Sequence, residues 1–323
     1  MSTKIKWGIL STAYIGTDHV IPAMLNSKYC DVHAISSRGY DKAKDAAEKL
    51  NIPKYYGSYE ELLQDGEIEA VYIPLPNHLH VPWAIKALEA GKHVLVEKPV
   101  GLSSLEAEKL LEESRRHPNL KIMEAFMYRH HPQWIKVKEL IESGAIGKVK
   151  TIQSFFSFFD DNPGSIVNKK EYGGGSLMDI GCYPISLSRF IYNSEPETVF
   201  GSIEYHPEFG IDTAATAIMK FKEATSAFFS SIRLEDRQQA QIYGTEGKIE
   251  FQIPFNPIAN KPSKIFLHKN NKTEEIIFEP CDQYTIQADL FALAVINNTD
   301  VPTPLQDAVD NMKVIEAIIE SDK

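Results

Sequence analysis

What most constrains the fold is the order in which strand-like and helix-like periods follow one another over the first 125 residues. The apolar run IKWGIL (5–10) leads into a helical pattern over about 15–26. DVHAISS (31–37) reads as a second strand and YDKAKDAAEKL (40–50) as an amphipathic helix. EAVYIPLP (69–76), KHVLVEKP (92–99) and LKIMEAF (120–126) continue the series as strands. Between them lie the helical stretches HLHVPWAIKALEA, with Asn77 placed as its N-cap and Gly91 closing it, and LSSLEAEKLLEESRR (102–116). Strands and helices alternating at this spacing require a parallel sheet joined by right-handed crossovers.

The pattern changes after residue 126. A helix near 132–144 precedes KVKTIQSFFSFF (148–159), a long β-like run, and another helix over about 176–192 follows. ETVFGSIEYH, TAATAIMKFK, ATSAFFSSIRL, AQIYGTEGKIEFQI and KIFLHKN then read as strands, with KEATS and GTEG as tight antiparallel connections. Two helices, at about 284–297 and 306–321, end the chain. The expectation is an α/β protein in two domains. Residues 1–126 form a doubly wound parallel sheet of the Rossmann type, and residues 127–323 an α+β domain with a large, mostly antiparallel open sheet.

Composition bears chiefly on partners. A net charge of −10 argues against nucleic acid or an anionic membrane surface, so an anionic ligand needs a local positive site. No apolar stretch reaches the roughly 18 residues of a membrane span. The opening MSTKIKWGIL lacks the apolar core and cleavage site of a secretory signal, so the expected location is the cytoplasm. Cys30, Cys182 and Cys281 are too widely spaced for a CxxC metal site, and His130–His131 lacks an i, i+4 partner; no metal is expected.

In GILSTAYIG (8–16), Ser11, Ala13 and Gly16 occupy the positions of the three glycines of a dinucleotide fingerprint. Ser and Ala are the smallest replacements, and the following helix start still offers unpaired N–H groups to a diphosphate. The second strand ends Ser36-Ser37-Arg38-Gly39, with no acid before Asp41. A carboxylate there would suit the ribose 2′-OH of NAD; a hydroxyl beside a guanidinium suits the 2′-phosphate of NADP. NADP is therefore the expected cofactor, with NAD as the alternative. Arg38 also reads as one of the chain's solvated surface cations.

Glu97-Lys98-Pro99 ends the fourth strand at the carboxyl edge, where open α/β sheets bind ligands, and the proline restricts Lys98. A lysine held there orients a substrate hydroxyl or lowers a neighbour's pKa, although it also reads as a sheet-edge cation paired with Glu97. In GGGSLMDIGCYPI (173–185), Ser176 is a candidate N-cap, and Asp179 and Tyr183 are four apart on one helix face. Pro184 removes a donor and makes this turn irregular. A tyrosine beside a cation becomes a usable acid–base group; the plainer reading makes Tyr183 half-buried core and Asp179 a helix-start carboxylate. Candidate cofactor contacts are Ser11, Ala13, Tyr14, Ile15, Ser37, Arg38, Leu75, Asn77, His80, Glu97 and Lys98. Candidate substrate contacts are Arg129, Phe155, Phe158 and Tyr172.

Taken in order, GILSTAYIG, SSR, PLPNHLHVPWAIKALEAGKHVLVEKP, EAFMYRHHP and GGGSLMDIGCYPI resemble the glucose–fructose oxidoreductase/inositol dehydrogenase (Gfo/Idh/MocA) family. The branch they are most similar to contains dimeric dihydrodiol dehydrogenase and NADP-dependent D-xylose 1-dehydrogenase. The resemblance runs from about residue 4 to the C-terminus and is strongest over 70–132 and 173–185. It implies that Lys98 contacts the nicotinamide and the reacting oxygen, that Tyr183 stands at the acid–base position with Asp179 as its acidic partner, and that Ser37 and Arg38 hold the 2′-phosphate. It also implies a homodimer through the C-terminal sheet. The expected activity is hydride transfer between NADP and a carbinol or carbonyl of a sugar, cyclic polyol or dihydrodiol. A non-catalytic NADP-binding sensor on the same scaffold is the competing expectation, and Lys98 together with Tyr183 distinguishes the enzyme from it.

Overall fold

A computed structural model describes residues 4–323. In it, six parallel strands run β1 (Ile5–Leu10), β2 (Cys30–Ser36), β3 (Lys54–Tyr56), β4 (Ala70–Ile73), β5 (His93–Glu97) and β6 (Ile122–Ala125) along the chain, and stand in the order β3-β2-β1-β4-β5-β6. Helices α1 (Ile21–Leu25), α2 (Tyr40–Leu50), α3 (Tyr59–Gln64), α4 (His80–Glu89) and α5 (Ser104–Arg116) connect them. Every residue of β4 and β6 is buried, as strands covered on both faces require. The order reverses at β1, which pairs with β2 on one side and β4 on the other, so the turn after Leu10 lies at the topological switch point. Strand β4 stops at Ile73, short of the expected 76, because Pro74 and Pro76 donate nothing to a ladder. Strand β3 and helix α3 were not foreseen; three residues are too few to show a period.

The second sheet has eight strands, ordered β14-β13-β12-β11-β7-β10-β9-β8. Helix α6 (Pro132–Glu142) precedes β7 (Val149–Phe159), and α7 (Cys182–Tyr192) precedes β8 (Thr198–Tyr205). Then come β9 (Asp212–Lys220), β10 (Thr225–Ser231), β11 (Arg233–Gly244), β12 (Lys248–Phe251), β13 (Ser263–Lys269) and β14 (Lys272–Phe278). Among the described strands β7 and β10 pair in parallel and the other neighbours antiparallel. Edge strand β14 was hidden by its charges (KTEEIIF). Its hairpin uses Asn270 and Asn271, at φ 52° and 58°, the left-handed pair of a two-residue turn.

The last two helices, α8 (Gln283–Ile296) and α9 (Leu305–Ser321), correct the expected domain limits. The chain divides into Met1–Met127 with Gln283–Val309, and Tyr128–Asp282 with Asp310–Lys323, so 127–323 is not one block. Helix α8 buries Ala288, Phe291 and Ala292 in the core of the first sheet, with Phe291 5.4 Å from Trp7, and Ser27 bonds Asp289. No described helix is long and apolar enough to cross a membrane.

Candidate functional site

The turn after β1 keeps the backbone of a glycine fingerprint without its first two glycines. Ser11 has φ 134°, a conformation natural to glycine and strained for serine by about 1–3 kcal/mol. Its amide donates to the Ser36 carbonyl (3.1 Å), and its Oγ accepts the Ala13 N–H (3.0 Å), which ties the turn locally. Tyr14 is 71% exposed, whereas Ile15 is partly buried and packs against the core. The expected α-helix begins as a π-turn over Ile15–Val20 before α1 takes over. A Cβ on Gly16 would lie 3.3 Å from the Pro74 ring, so the third fingerprint position serves close packing, as in a nucleotide fold.

An open cavity of about 570 Å³ joins this turn to the end of β2, lined by Ser11, Thr12, Ala13, Ser37, Arg38, Gly39, Lys42 and Tyr59. Four of the expected cofactor residues thus meet in one place. Arg38 and Lys42 are both exposed and no carboxylate lines the cavity. Gly39 caps α2 without a side-chain hydrogen bond, so helix-start amides face the same space. Thr12, Gly39, Lys42 and Tyr59 were missed as contacts. Lys42 lies four residues after Arg38, a spacing the sequence displays; Tyr59 belongs to the unforeseen α3.

The ends of β4 and β5 form a tightly bonded group. His80, 1% exposed, places Nδ1 2.7 Å from the Pro99 carbonyl and Nε2 2.6 Å from the Leu75 carbonyl. Burial pushes its pKa down to about 4, against the pull of the two carbonyls and with repulsion from Lys98 and His78 adding to the fall. A neutral imidazole has one N–H, so it donates to one of these carbonyls and stands against the other, held between the two loops. Asn77 opens a short 3₁₀ turn, and the residue capping α4 is Leu79, so the N-cap expectation for Asn77 is corrected. Leu75 is buried. Lys98 is half-buried and begins a cis Lys98–Pro99 peptide. Glu97 is buried; it accepts the Tyr72 hydroxyl at 2.6 Å and the Lys98 N–H at 3.3 Å, which makes it a core acceptor, not a surface contact.

In the second unit Asp179 lies on a π-turn (Leu177–Gly181) and Tyr183 in the first turn of α7, which follows it directly, the irregularity expected before Pro184. Ser176 stands at the N-cap position, as expected, but its side chain does not cap the turn. Its Oγ donates to Asp212 Oδ2 (2.8 Å), and the same oxygen accepts the Leu177 N–H at 2.6 Å. Asp212 is buried, which raises its pKa, while these bonds oppose the rise. It caps the segment from 36 residues downstream, a distance no local pattern shows. Gly175, at φ 112°, is required here: a Cβ would lie 2.0 Å from Asp212 Oδ1. Gly175→Ala is expected to cost about 2–3 kcal/mol of unfolding free energy, checked by urea denaturation.

Tyr183 is 4% exposed among Phe255 (5.3 Å), Phe156 (5.6 Å) and Tyr128 (5.8 Å). Asp179 is half-buried. The substrate expectations need correction. Phe155 points to the opposite sheet face from Phe156 and stacks on Phe229 at 4.7 Å, so Phe156 is the aromatic that meets Tyr183. Phe158 shares the Phe156 side by alternation and is half-buried. Arg129 is buried and donates to Ser186 Oγ at 2.8 and 3.1 Å, bracing α7. Tyr172 lies under the Lys169 ammonium at 5.0 Å. His131 caps α6 through Nδ1 and sets Nε2 3.2 Å from Cys281. Among the described residues His33, Asp65 and Glu67 have metal-like spacing, but the Lys54 ammonium bonds both carboxylates.

Comparison with known proteins gives a consistent picture. Residues 5–126 match the model described as "Oxidoreductase family, NAD-binding Rossmann fold", and residues 134–250 match the GFO/IDH/MocA C-terminal domain. An uncharacterized oxidoreductase of Rhizobium meliloti is 42% identical, the match covering 98% of this chain and 96% of that protein. D-xylose 1-dehydrogenase (NADP(+)) 2 of Haloferax volcanii is 35% identical, covering 98% and 96%. The 3-ketoreductase KijD10 of Actinomadura kijaniata, solved with NADP and TDP-benzene, superposes with a TM-score of 0.93 at 27% identity, covering 99% and 98%.

Proposed function

Because this chain belongs to the GFO/IDH/MocA oxidoreductase family, we propose that it is an NADP-linked enzyme moving a hydride between the nicotinamide and a carbinol or carbonyl carbon of a sugar, cyclic polyol or dihydrodiol. The observation that carries this reading is the cavity at the end of β2: Arg38, Lys42 and Ser37 on one side, the fingerprint turn on the other, and no carboxylate. Two cations and a hydroxyl suit a phosphate dianion, and a ribose 2′-OH would want an acid. With the Ser11 and Ala13 amides held within the protein, the α2 start and Thr12 offer backbone amides to the remaining phosphates.

When bound, NADP supplies the carbon that takes or gives the hydride. The chain's own residues handle the proton. Tyr183 accepts the substrate hydroxyl proton in oxidation and returns it to the carbonyl oxygen in reduction. Lys98 provides the cation that favours the phenolate, and Asp179 is the acidic partner one turn before it. The aromatic surroundings of Tyr183 hold the ring in one orientation and keep water from it. The test is a panel of aldoses, cyclic polyols and a trans-dihydrodiol with NADP+, followed by NADPH absorbance. Turnover of one class, abolished in Tyr183→Phe, supports the reading; NADPH binding without turnover on any would assign the chain as a sensor.

The same reading includes a homodimer. On the sheet face opposite Tyr183, Phe200, Ile218 and Ala227 form one cross-strand row, and Ser202, Thr216, Phe229, Phe155 and Gln239 the next. Phe200 is 59% and Ile218 49% exposed, and none of these eight residues carries a charge; further along the first row Gln153 and Gln241 lead to Glu250. A second copy of this face is the occupant, since a two-fold axis lays such a surface on itself. Light scattering after size exclusion is expected to give a dimer for the wild type and a monomer for Phe229→Glu; a monomeric wild type would contradict it.

A further inference from the structure

Phe255, whose ring lies nearer to Tyr183 than those of Phe156 and Tyr128, comes from a loop. It follows β12 in the segment Pro254-Phe255-Asn256-Pro257 and is fully buried. Its ring is 5.3 Å from Tyr183, edge-on to Tyr128 at 5.4 Å and stacked on Phe156 at 5.6 Å. Tyr183 and Phe156 stand on a helix and a strand, whose backbone bonds hold them in place. A loop has no such ladder, so its backbone groups must find other partners.

Those partners are side chains. Residues 254 and 257 are prolines without an N–H, so the segment offers two donors, the amides of Phe255 and Asn256. Both go to one atom, Gln238 Oε1, at 2.8 and 3.0 Å. Two N–H donors can face only the oxygen of a carboxamide, which fixes the orientation of this one. On the other side the Pro254 carbonyl accepts Gln133 Nε2 at 3.0 Å and Trp134 Nε1 at 2.7 Å, and Gln133 Nε2 also donates to the Ile253 carbonyl at 3.0 Å. Helix α6 thus ties the entry to the loop, and Gln238 ties the residue that carries the ring. Gln238 stands on β11 directly opposite Phe156 of β7, so the anchor shares the sheet face of the rings it serves.

We propose that Gln238 is a positioning residue for the proton transfer: by taking the Phe255 and Asn256 amides it keeps the Phe255 ring as a fixed wall against Tyr183 and so sets where the phenol oxygen points. This rests on the acid–base reading of Tyr183 above. Without the acceptor the loop stays tied at Pro254, while the two freed amides turn toward water and carry the ring off its place. Misalignment of a reacting group costs rate even where the fold persists. Gln238 belongs to the second unit and the β2 cavity to the first, so cofactor affinity is spared.

The experiment compares wild type, Gln238→Met, Gln238→Glu, Phe255→Leu and the double variant Gln238→Met/Phe255→Leu on the substrate class found by the panel above. Gln238→Met keeps the length of the side chain and removes the acceptor; it is expected to lower kcat about tenfold, with NADPH affinity unchanged. Gln238→Glu retains an oxygen for both amides and is expected to restore most of that loss. Because Gln238 acts through Phe255, the double variant is expected to be no slower than the slower single. A second readout needs no turnover: with 3-fluorotyrosine incorporated, the ¹⁹F resonance that disappears in Tyr183→Phe is expected to shift in Gln238→Met. Thermal unfolding establishes that each variant is folded. A folded Gln238→Met with wild-type kcat or an unmoved Tyr183 resonance overturns the proposal, as does a loss that Gln238→Glu fails to restore or that adds in full to the loss from Phe255→Leu. Undiminished turnover in Tyr183→Phe instead overturns the acid–base reading, and the fluorine resonance then still reports whether Gln238 holds the ring.

Discussion

Tyr183→Phe is expected to lower kcat by about 10²- to 10⁴-fold, the usual scale for removing one general acid–base group, with NADPH affinity unchanged. The variant loses one oxygen and keeps the ring. Its aromatic neighbours Tyr128, Phe156 and Phe255 contact the ring itself, so the nest that orients it survives. A drop in kcat with a constant KM for cofactor would place the defect in the proton transfer. Undiminished turnover would remove Tyr183 from the chemistry and return it to the aromatic core. The pH profile supplies a second readout: oxidation by the wild type requires the phenol's proton to be lost, so kcat for oxidation should rise with pH and that limb should vanish in the variant.

The double variant Arg38→Ala/Lys42→Ala is expected to weaken NADPH by about 100- to 1000-fold and NADH by far less. Each cation makes a charge-assisted contact worth about 1.5–3 kcal/mol when well formed, discounted here because both side chains are exposed. The loss should also be smaller at high salt, since screening weakens the wild-type contact first. Calorimetric titration at two ionic strengths checks both statements. Equal loss for NADPH and NADH would mean that the cations serve the diphosphate, or the fold, and not the 2′-phosphate.

The first sheet was legible because its strands are buried on both faces and its helices are amphipathic, so strand and helix periods contrast sharply. What the sequence concealed was long-range. Helix α8 looks like a closing helix of the second domain, and long-range contacts such as Phe291 with Trp7, nearly the whole chain apart, assign it to the first sheet. Asp212 caps the Tyr183 segment from another strand, and no local signal distinguishes that from a Ser176 cap. Phe155 and Phe156 could not be sorted because FFSFF places aromatics on both faces, which erases the period-2 signal. His80 reads as a candidate contact from its place at the sheet edge; the two carbonyls that flank its ring arrive only when the loops after β4 and β5 come together.

The missing glycines of GILSTAYIG resolve in the same way. Ser11 adopts the positive φ that a glycine would, and its hydroxyl takes the Ala13 amide in return. The strain is local and the turn is kept, so the fingerprint is degenerate in letters while its backbone path persists.

The most direct measurement is the equilibrium titration of the wild-type protein with NADPH and, separately, NADH, read by cofactor fluorescence. NADPH binding tenfold or more tighter, about 1.4 kcal/mol, is the predicted result. Equal affinities, or a preference for NADH, would contradict the assignment of the β2 cavity to a 2′-phosphate and with it the NADP-linked activity.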